Sequence, residues 1–70
     1  MKYAVLYERD ESGTIGAHVP DLPGCAVVAS TIEEARGLIK AAIEMHLEGM
    51  REDGTPIPAP TTHAEYVDAA

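Results

Sequence analysis

The sequence predicts an α+β domain of order β-β-β-α-β, and three observations carry that prediction. Residues 2–29 hold three short apolar runs separated by turn-forming residues. Residues 31–52 carry the chain's long helical periodicity, opened by a capping sequence and closed by Asp53-Gly54 and Pro56. A proline-alternating return, Thr55 to Pro60, comes after the helix.

The first strand is expected over Lys2 to Glu8. Tyr3, Val5 and Tyr7 fall on one face and Ala4 and Leu6 on the other, and the aromatic and β-branched content suits a pleated surface. A strand with one wet face shows polar residues at every second position. This one is apolar on both, so it is expected to be covered on both sides. Arg9-Asp10-Glu11-Ser12-Gly13 reads as a charged hairpin turn, and the second strand runs from Thr14 to Val19 with Ile15, Ala17 and Val19 inward. Pro20 closes it by removing a backbone donor. Asp21-Leu22-Pro23-Gly24 makes a tight corner, after which Cys25 to Ala29 forms a third strand and completes an antiparallel meander.

Ser30-Thr31-Ile32-Glu33 has the form of a capping box, the Ser30 hydroxyl taking an orphan amide and Glu33 reaching back. Glu34 adds negative charge at the positive end of the helix dipole. The helix is expected to reach Glu52, a length of about 33 Å. Gly37 inside it is read as a mark of close packing. Ile32, Ala35, Leu38, Ile39, Ala42, Ile43, Met45, Leu47 and Met50 spread over an arc of about 200°, wider than one sheet face covers. The surplus lies toward the C-terminal half. Met45, His46, Leu47 and Met50 are therefore the candidate interface for another subunit or a partner. The prolines of Thr55 to Pro60 make a stiff strap, and Ala64-Glu65-Tyr66-Val67 is expected as a short last strand. A right-handed crossover places it parallel to the third.

Seventy residues are expected to form one domain, 1–70, small enough that self-association or a partner becomes important to stability. Five Lys and Arg against twelve Asp and Glu give a net charge of −7, which opposes approach to phosphate backbones and favours basic partners. Direct nucleic-acid binding by this chain is not expected. One cysteine, Cys25, permits no intrachain disulfide and fits a reducing compartment; with no apolar signal core or membrane-length run, a cytoplasmic location is expected.

No catalytic, metal or cofactor site is expected. His18 and Cys25 bracket the corner but supply only half of a four-ligand zinc set, without the paired spacing such sites use. Cys25 lacks a visible base and reads as a small buried thiol. His46 falls within the apolar arc and reads as a ring packed in the core or at a subunit interface with one nitrogen bonded, and His63 as a solvated one. Glu44 and Glu48 are four residues apart, as on an ordinary charged helix face, and no strand supplies the aspartates of a two-metal nuclease.

Pro20-Asp21-Leu22-Pro23-Gly24-Cys25, Thr31-Ile32-Glu33-Glu34-Ala35, Ala42-Ile43-Glu44, Leu47-Glu48, Asp53-Gly54 and Ile57-Pro58-Ala59-Pro60 occur in an order and at spacings that resemble the HicB antitoxin family over nearly the whole chain. The resemblance implies a truncated ribonuclease H-like sheet of order 3-2-1-4 with the helix on one face, and association into dimers or tetramers. It also implies a partner, HicA, a small basic toxin that cleaves mRNA. Many relatives continue into a DNA-binding domain, for which 70 residues are not expected to have room. Val27 and Ala29 stand where relatives often carry a polar residue and glycine. The likeness to ribonuclease H brings no activity with it, since the first strand has no acidic residue before Glu8. The function implied is a non-catalytic antitoxin; the alternative is a stand-alone oligomerising or adaptor domain on the same scaffold.

Overall fold

The computed structural model describes residues 1–70 and gives three antiparallel strands and then one long helix: β1 (Leu6–Arg9), β2 (Ile15–His18), β3 (Ala26–Ala29) and α1 (Ile32–Asp53). The sheet order is β1-β2-β3, so β2 is central and both outer strands are edges. The α+β class and the 3-2-1 part of the expected order hold. The fourth strand does not form, because Thr61 and Thr62 are bound at the Asp21 corner and Ala64–Val67 lies exposed beyond them.

Register explains which residues are buried. Tyr7 stands opposite Ala17, which stands opposite Val27, and Arg9, Ile15 and Ala29 form the next such row. Alternation therefore puts Ile15, Ala17 and Ala29 on the face that α1 covers, and all three are buried. Val19, Leu22, Cys25, Ala35 and Ile39 complete the core, with Tyr3, Val5, Tyr7, Val27, Ile32, Ala42, Ile43 and Leu47 packed around it. The opposite face carries Leu6, Glu8, Gly16, His18, Ala26 and Val28, and nothing lies over it. Val28 is 69% exposed. The expectation that the first strand is covered on both sides fails for this face, since the single helix packs on only one side of the sheet.

β1 is shorter than expected at its start. Leu6 pairs with His18, and β2 ends there because the chain then turns through Val19 and Pro20 into the corner. Residues 2–5 thus have no strand partner, although Tyr3 and Val5 still pack on the core. The corner is built by backbone bonds: Leu22 N–H donates to Val19 O at 3.0 Å, Cys25 N–H to Leu22 O at 3.0 Å, and Val19 N–H to Cys25 O at 3.1 Å. Gly24 supplies the left-handed step, φ 85°, that this reversal needs. Leu22 is driven inward to zero exposure.

The helix cap is displaced by one residue from the expected box. Thr31, in extended conformation, is the N-cap: Glu34 N–H donates to Thr31 Oγ1 at 3.1 Å, and Ser30 N–H donates to Glu34 Oε1 at 2.8 Å. Glu34 rather than Glu33 occupies the third helical position, the one from which a carboxylate reaches back. At the other end Gly54, φ 69°, donates to Arg51 O, and Thr55 N–H donates to Met50 O at 2.9 Å. Gly37 marks no close approach, for it is exposed and a Cβ there would meet nothing within 4 Å.

Candidate functional site

A four-residue strand is about 13 Å long and a 22-residue helix about 33 Å, so α1 overhangs the sheet. The four candidate interface residues sit in this overhang and separate into three environments. Leu47 turns back and packs on the core. His46 and Met50 continue the inward-facing line of Ala35 and Ile39 but are only half-buried, because the sheet has ended beneath them. His46 is half-buried and makes no intrachain hydrogen bond, so within the chain the ring is not the packed, bonded core residue that is one of the two expectations for it. Met45 projects from the flank and is 74% exposed.

Leu38, seven residues before Met45 and so on the same flank, is 44% exposed and is not among the expected interface residues. At about 100° per residue, Glu34, Ala41, Glu48 and Glu52 fall beside these two, whereas Arg36, Lys40 and Arg51 fall on the far side of the helix. The flank is therefore an apolar stripe bordered by carboxylates alone. The signal is present in the 3.6-residue period, but the width of the arc assigns Leu38 to the core.

Asp21 sits at the corner as the second feature. Its Oδ2 accepts the backbone N–H groups of Thr61 and Thr62, each at 3.0 Å, and its Oδ1 accepts the hydroxyls of Thr61 at 3.1 Å and Thr62 at 2.7 Å. Hydrogen bonding, the Thr62 N–H first, holds the carboxyl below its usual range against a smaller opposing effect of desolvation. The Tyr3 hydroxyl donates to Pro58 O, so the proline strap is tied down at Tyr3 and again at Asp21. A second carboxylate, Asp10, organises the β1–β2 turn through Ser12 and Thr14, and the Ser12 hydroxyl bond chiefly lowers its pKa.

The other sequence candidates are not brought together. Cys25 is buried and burial raises its thiol pKa, which disfavours the thiolate. His18 faces the open side of the sheet, 4.0 Å from Glu8, and His63 pairs at 3.1 Å with Glu65 in the exposed tail. Glu44 and Glu48 are exposed, and no three His, Cys, Asp or Glu side chains are placed to share a metal ion. No helix is long and apolar enough to cross a membrane. A shallow open hollow on the uncovered sheet face, lined by Glu8, Arg9, Asp10, Thr14, Gly16 and Val28, exists because Gly16 has no side chain to fill it.

Comparison with known proteins bears on what such surfaces serve. A UPF0150 protein of Archaeoglobus fulgidus is 43% identical over 56 residues, spanning 77% of this chain and 81% of that protein. A UPF0150 protein of Thermoplasma acidophilum is 40% identical over 58 residues, 83% of this chain and 84% of the relative. A 14.9 kDa protein from the rep-hol intergenic region of Haemophilus phage HP1 is 35% identical over 68 residues, which is 97% of this chain but 50% of the phage protein. Among solved structures, the N-terminal domain of the Burkholderia pseudomallei antitoxin HicB superposes with a TM-score of 0.78 at 28% identity, over 89% of this chain and 74% of that one. Residues 3–70 match the family described as HicB-like antitoxin of bacterial toxin-antitoxin systems. The chain belongs to the HicB-like antitoxin family.

Proposed function

We propose that this chain is a non-catalytic antitoxin that neutralises a HicA-type, mRNA-cleaving toxin by binding it directly, in the cytoplasm. The family match over residues 3–70 carries this reading. The surface supports it physically. A chain of net charge −7 attracts a basic ribonuclease over long range, and the carboxylate-bordered stripe of Leu38 and Met45 offers that partner both charge and apolar area. Half-buried His46 and Met50 lie on the inward line of the helix, while Leu47, on its other flank, packs on the core. An inhibitor of this kind needs no nucleophile, metal or cofactor; it needs a surface that occludes the toxin's RNA site.

The test is co-expression with the small basic protein encoded beside it. The expected result is relief of that protein's toxicity and a complex that purifies in fixed ratio. Met45→Glu combined with Leu38→Glu should leave the helix circular dichroism unchanged and abolish both. Unrelieved toxicity with no complex would overturn the reading. Recovery of only the homo-oligomer would favour the stand-alone adaptor on the same scaffold.

A further inference from the structure

β1 and β3 are both edges of the sheet, and they are guarded differently. The corner bond from Val19 N–H to Cys25 O fixes the phase of the β2–β3 ladder, so Ala17–Val27 and Ile15–Ala29 are its bonded pairs. Ala26 and Val28 therefore aim their N–H and C=O groups outward, and no hydrogen bond of this chain engages them. The next outward amide, Ser30 N–H, is taken by Glu34. β3 holds no charge, no proline and no bulge, and Ala26 and Val28 are exposed. On the other edge the Asp10–Thr14 bond sets the phase, so Tyr7 and Arg9 face outward. Charged Glu8 and Arg9 stand there, and Tyr3 further along holds the strap at Pro58. Charges and covers of this kind ordinarily keep an edge from pairing, and the β3 edge has neither.

We propose that the β3 edge is the docking strip for an extended segment of the basic toxin, which adds as a strand outside β3 through the backbone of Ala26 and Val28 and lays its helix-side residues under Leu38 and Met45. The inference rests on the antitoxin reading above and assigns where on this chain the partner binds. α1 lies chiefly over β3 and less over β2. Leu47 is on one flank of the helix and packs on the cluster that includes Tyr3, Val5 and Tyr7, so that flank looks across the sheet toward β1. Leu38 and Met45 are on the other flank, which looks out past β3. Edge and flank thus form one open strip, backbone below and apolar side chains above. Its charge selects the occupant. Glu34 stands at the Ser30 end, and Glu48 lies beyond Met45, so the segment that fits has apolar residues at its centre and Lys or Arg toward its ends. A second copy brings another charge of −7, and this chain's own tail brings Glu65 and Asp68, so like charge opposes both. Strand addition supplies the partner's affinity through main-chain bonds and its selectivity through alternate side chains.

Amide hydrogen exchange on the whole chain, alone and with the purified basic protein encoded beside it, reads the edge directly. The Ala26 and Val28 amides should exchange fast in the isolated chain and gain about tenfold or more protection in the complex. Val28→Pro removes an outward N–H that serves no internal bond, so helix circular dichroism should persist while the Kd for the basic protein rises about tenfold or more. Val28→Thr keeps the N–H and should bind as the native chain does. Should Val28→Pro unfold, the exchange readout decides alone. A complex in which both amides still exchange fast, or which Val28→Pro forms as tightly as the native chain, overturns the inference and leaves the antitoxin reading standing. No complex at all overturns that reading and the inference with it. Protection of the two amides already in the isolated chain also overturns the inference. If dilution removes that protection, the occupant is a second copy; if Tyr66→Asp with Val67→Asp removes it, the occupant is the chain's own tail.

Discussion

Asp21 and Thr62 are 41 positions apart in sequence, yet both oxygens of the carboxylate are engaged by the one threonine, Oδ2 by its N–H at 3.0 Å and Oδ1 by its hydroxyl at 2.7 Å. Thr61 makes the same pair of bonds. An exposed turn carboxylate thereby becomes the anchor that fixes where the strap ends and in which direction the tail departs. Chain-end geometry in this domain is set by one side chain rather than by a strand ladder.

Replacement of Asp21 by Ala should therefore release residues 61–70 without unfolding the core. Hydrogen exchange at the Thr61 and Thr62 amides should accelerate, while amides of β2 and α1 keep their protection. The pH dependence has a definite sign. Folding lowers the Asp21 pKa, so its contribution is complete above the unfolded value and is lost as pH falls through the depressed folded one. Acidification below the ordinary carboxylate range should lower the protection of the same two amides relative to their intrinsic exchange rate at each pH in the native protein, and the Ala variant should lack that acid-dependent step. Equal exchange in both proteins at neutral pH would show that the tether is not formed.

Much of this architecture is legible in the sequence, and the failures share a cause. Inward residues Ile15, Ala17 and Val19 come from period-2 alternation, and the helix from its 3.6 period, because both are local patterns enforced by burial. The cap shifts from Ser30 to Thr31 because both have a hydroxyl and each has a Glu three residues on; only the chain's exit from β3 selects between them. Leu22 reads as one apolar residue inside a Pro-Gly turn, and nothing periodic marks it as one of the two core residues, with Ala35, of zero exposure. Asp21 likewise reads as a turn former, since its donors lie far along the chain. The last strand rests on composition alone, and Ala64–Val67 forms none, lying exposed beyond the Asp21 anchor. The width of the apolar arc marks Met45 as surplus and it is exposed, whereas the exposure of Leu38, between buried Ala35 and Ile39, depends on which flank of the helix the sheet leaves uncovered.

Leu22→Ala should be among the most damaging single substitutions. Leu22 has zero exposure and lies among Val19, Cys25 and the other core residues, so truncation removes buried methyl groups and leaves a cavity that backbone bonds at the corner prevent from collapsing. A loss of about 2–5 kcal/mol is expected, large against the roughly 0.05–0.15 kcal/mol per residue typical of native stability. Thermal or urea unfolding monitored by circular dichroism measures it. Leu22→Met, close in volume, should cost less than about 1.5 kcal/mol, and an equal loss in both variants would place the cause elsewhere than in the cavity.

Gly37 inside the helix and Gly54 just past its end should respond to alanine in opposite directions. Gly37 is exposed, has no positive φ and has open space where a Cβ would stand. There alanine restricts the unfolded chain and favours the helix, so Gly37→Ala should stabilise by about 0.4–1 kcal/mol. Gly54 also has open space, but its φ of 69° is the left-handed conformation that lets Gly54 and Thr55 donate to the last carbonyls of α1. A Cβ is strained in that conformation whatever the room around it, so Gly54→Ala should destabilise by about 1–2 kcal/mol. Urea midpoints of the two variants against the native chain check both signs in one experiment. Because the surroundings are equally empty at the two sites, opposite shifts would assign the difference to backbone conformation. Destabilisation at both would mean instead that Gly37 serves a contact made outside the chain.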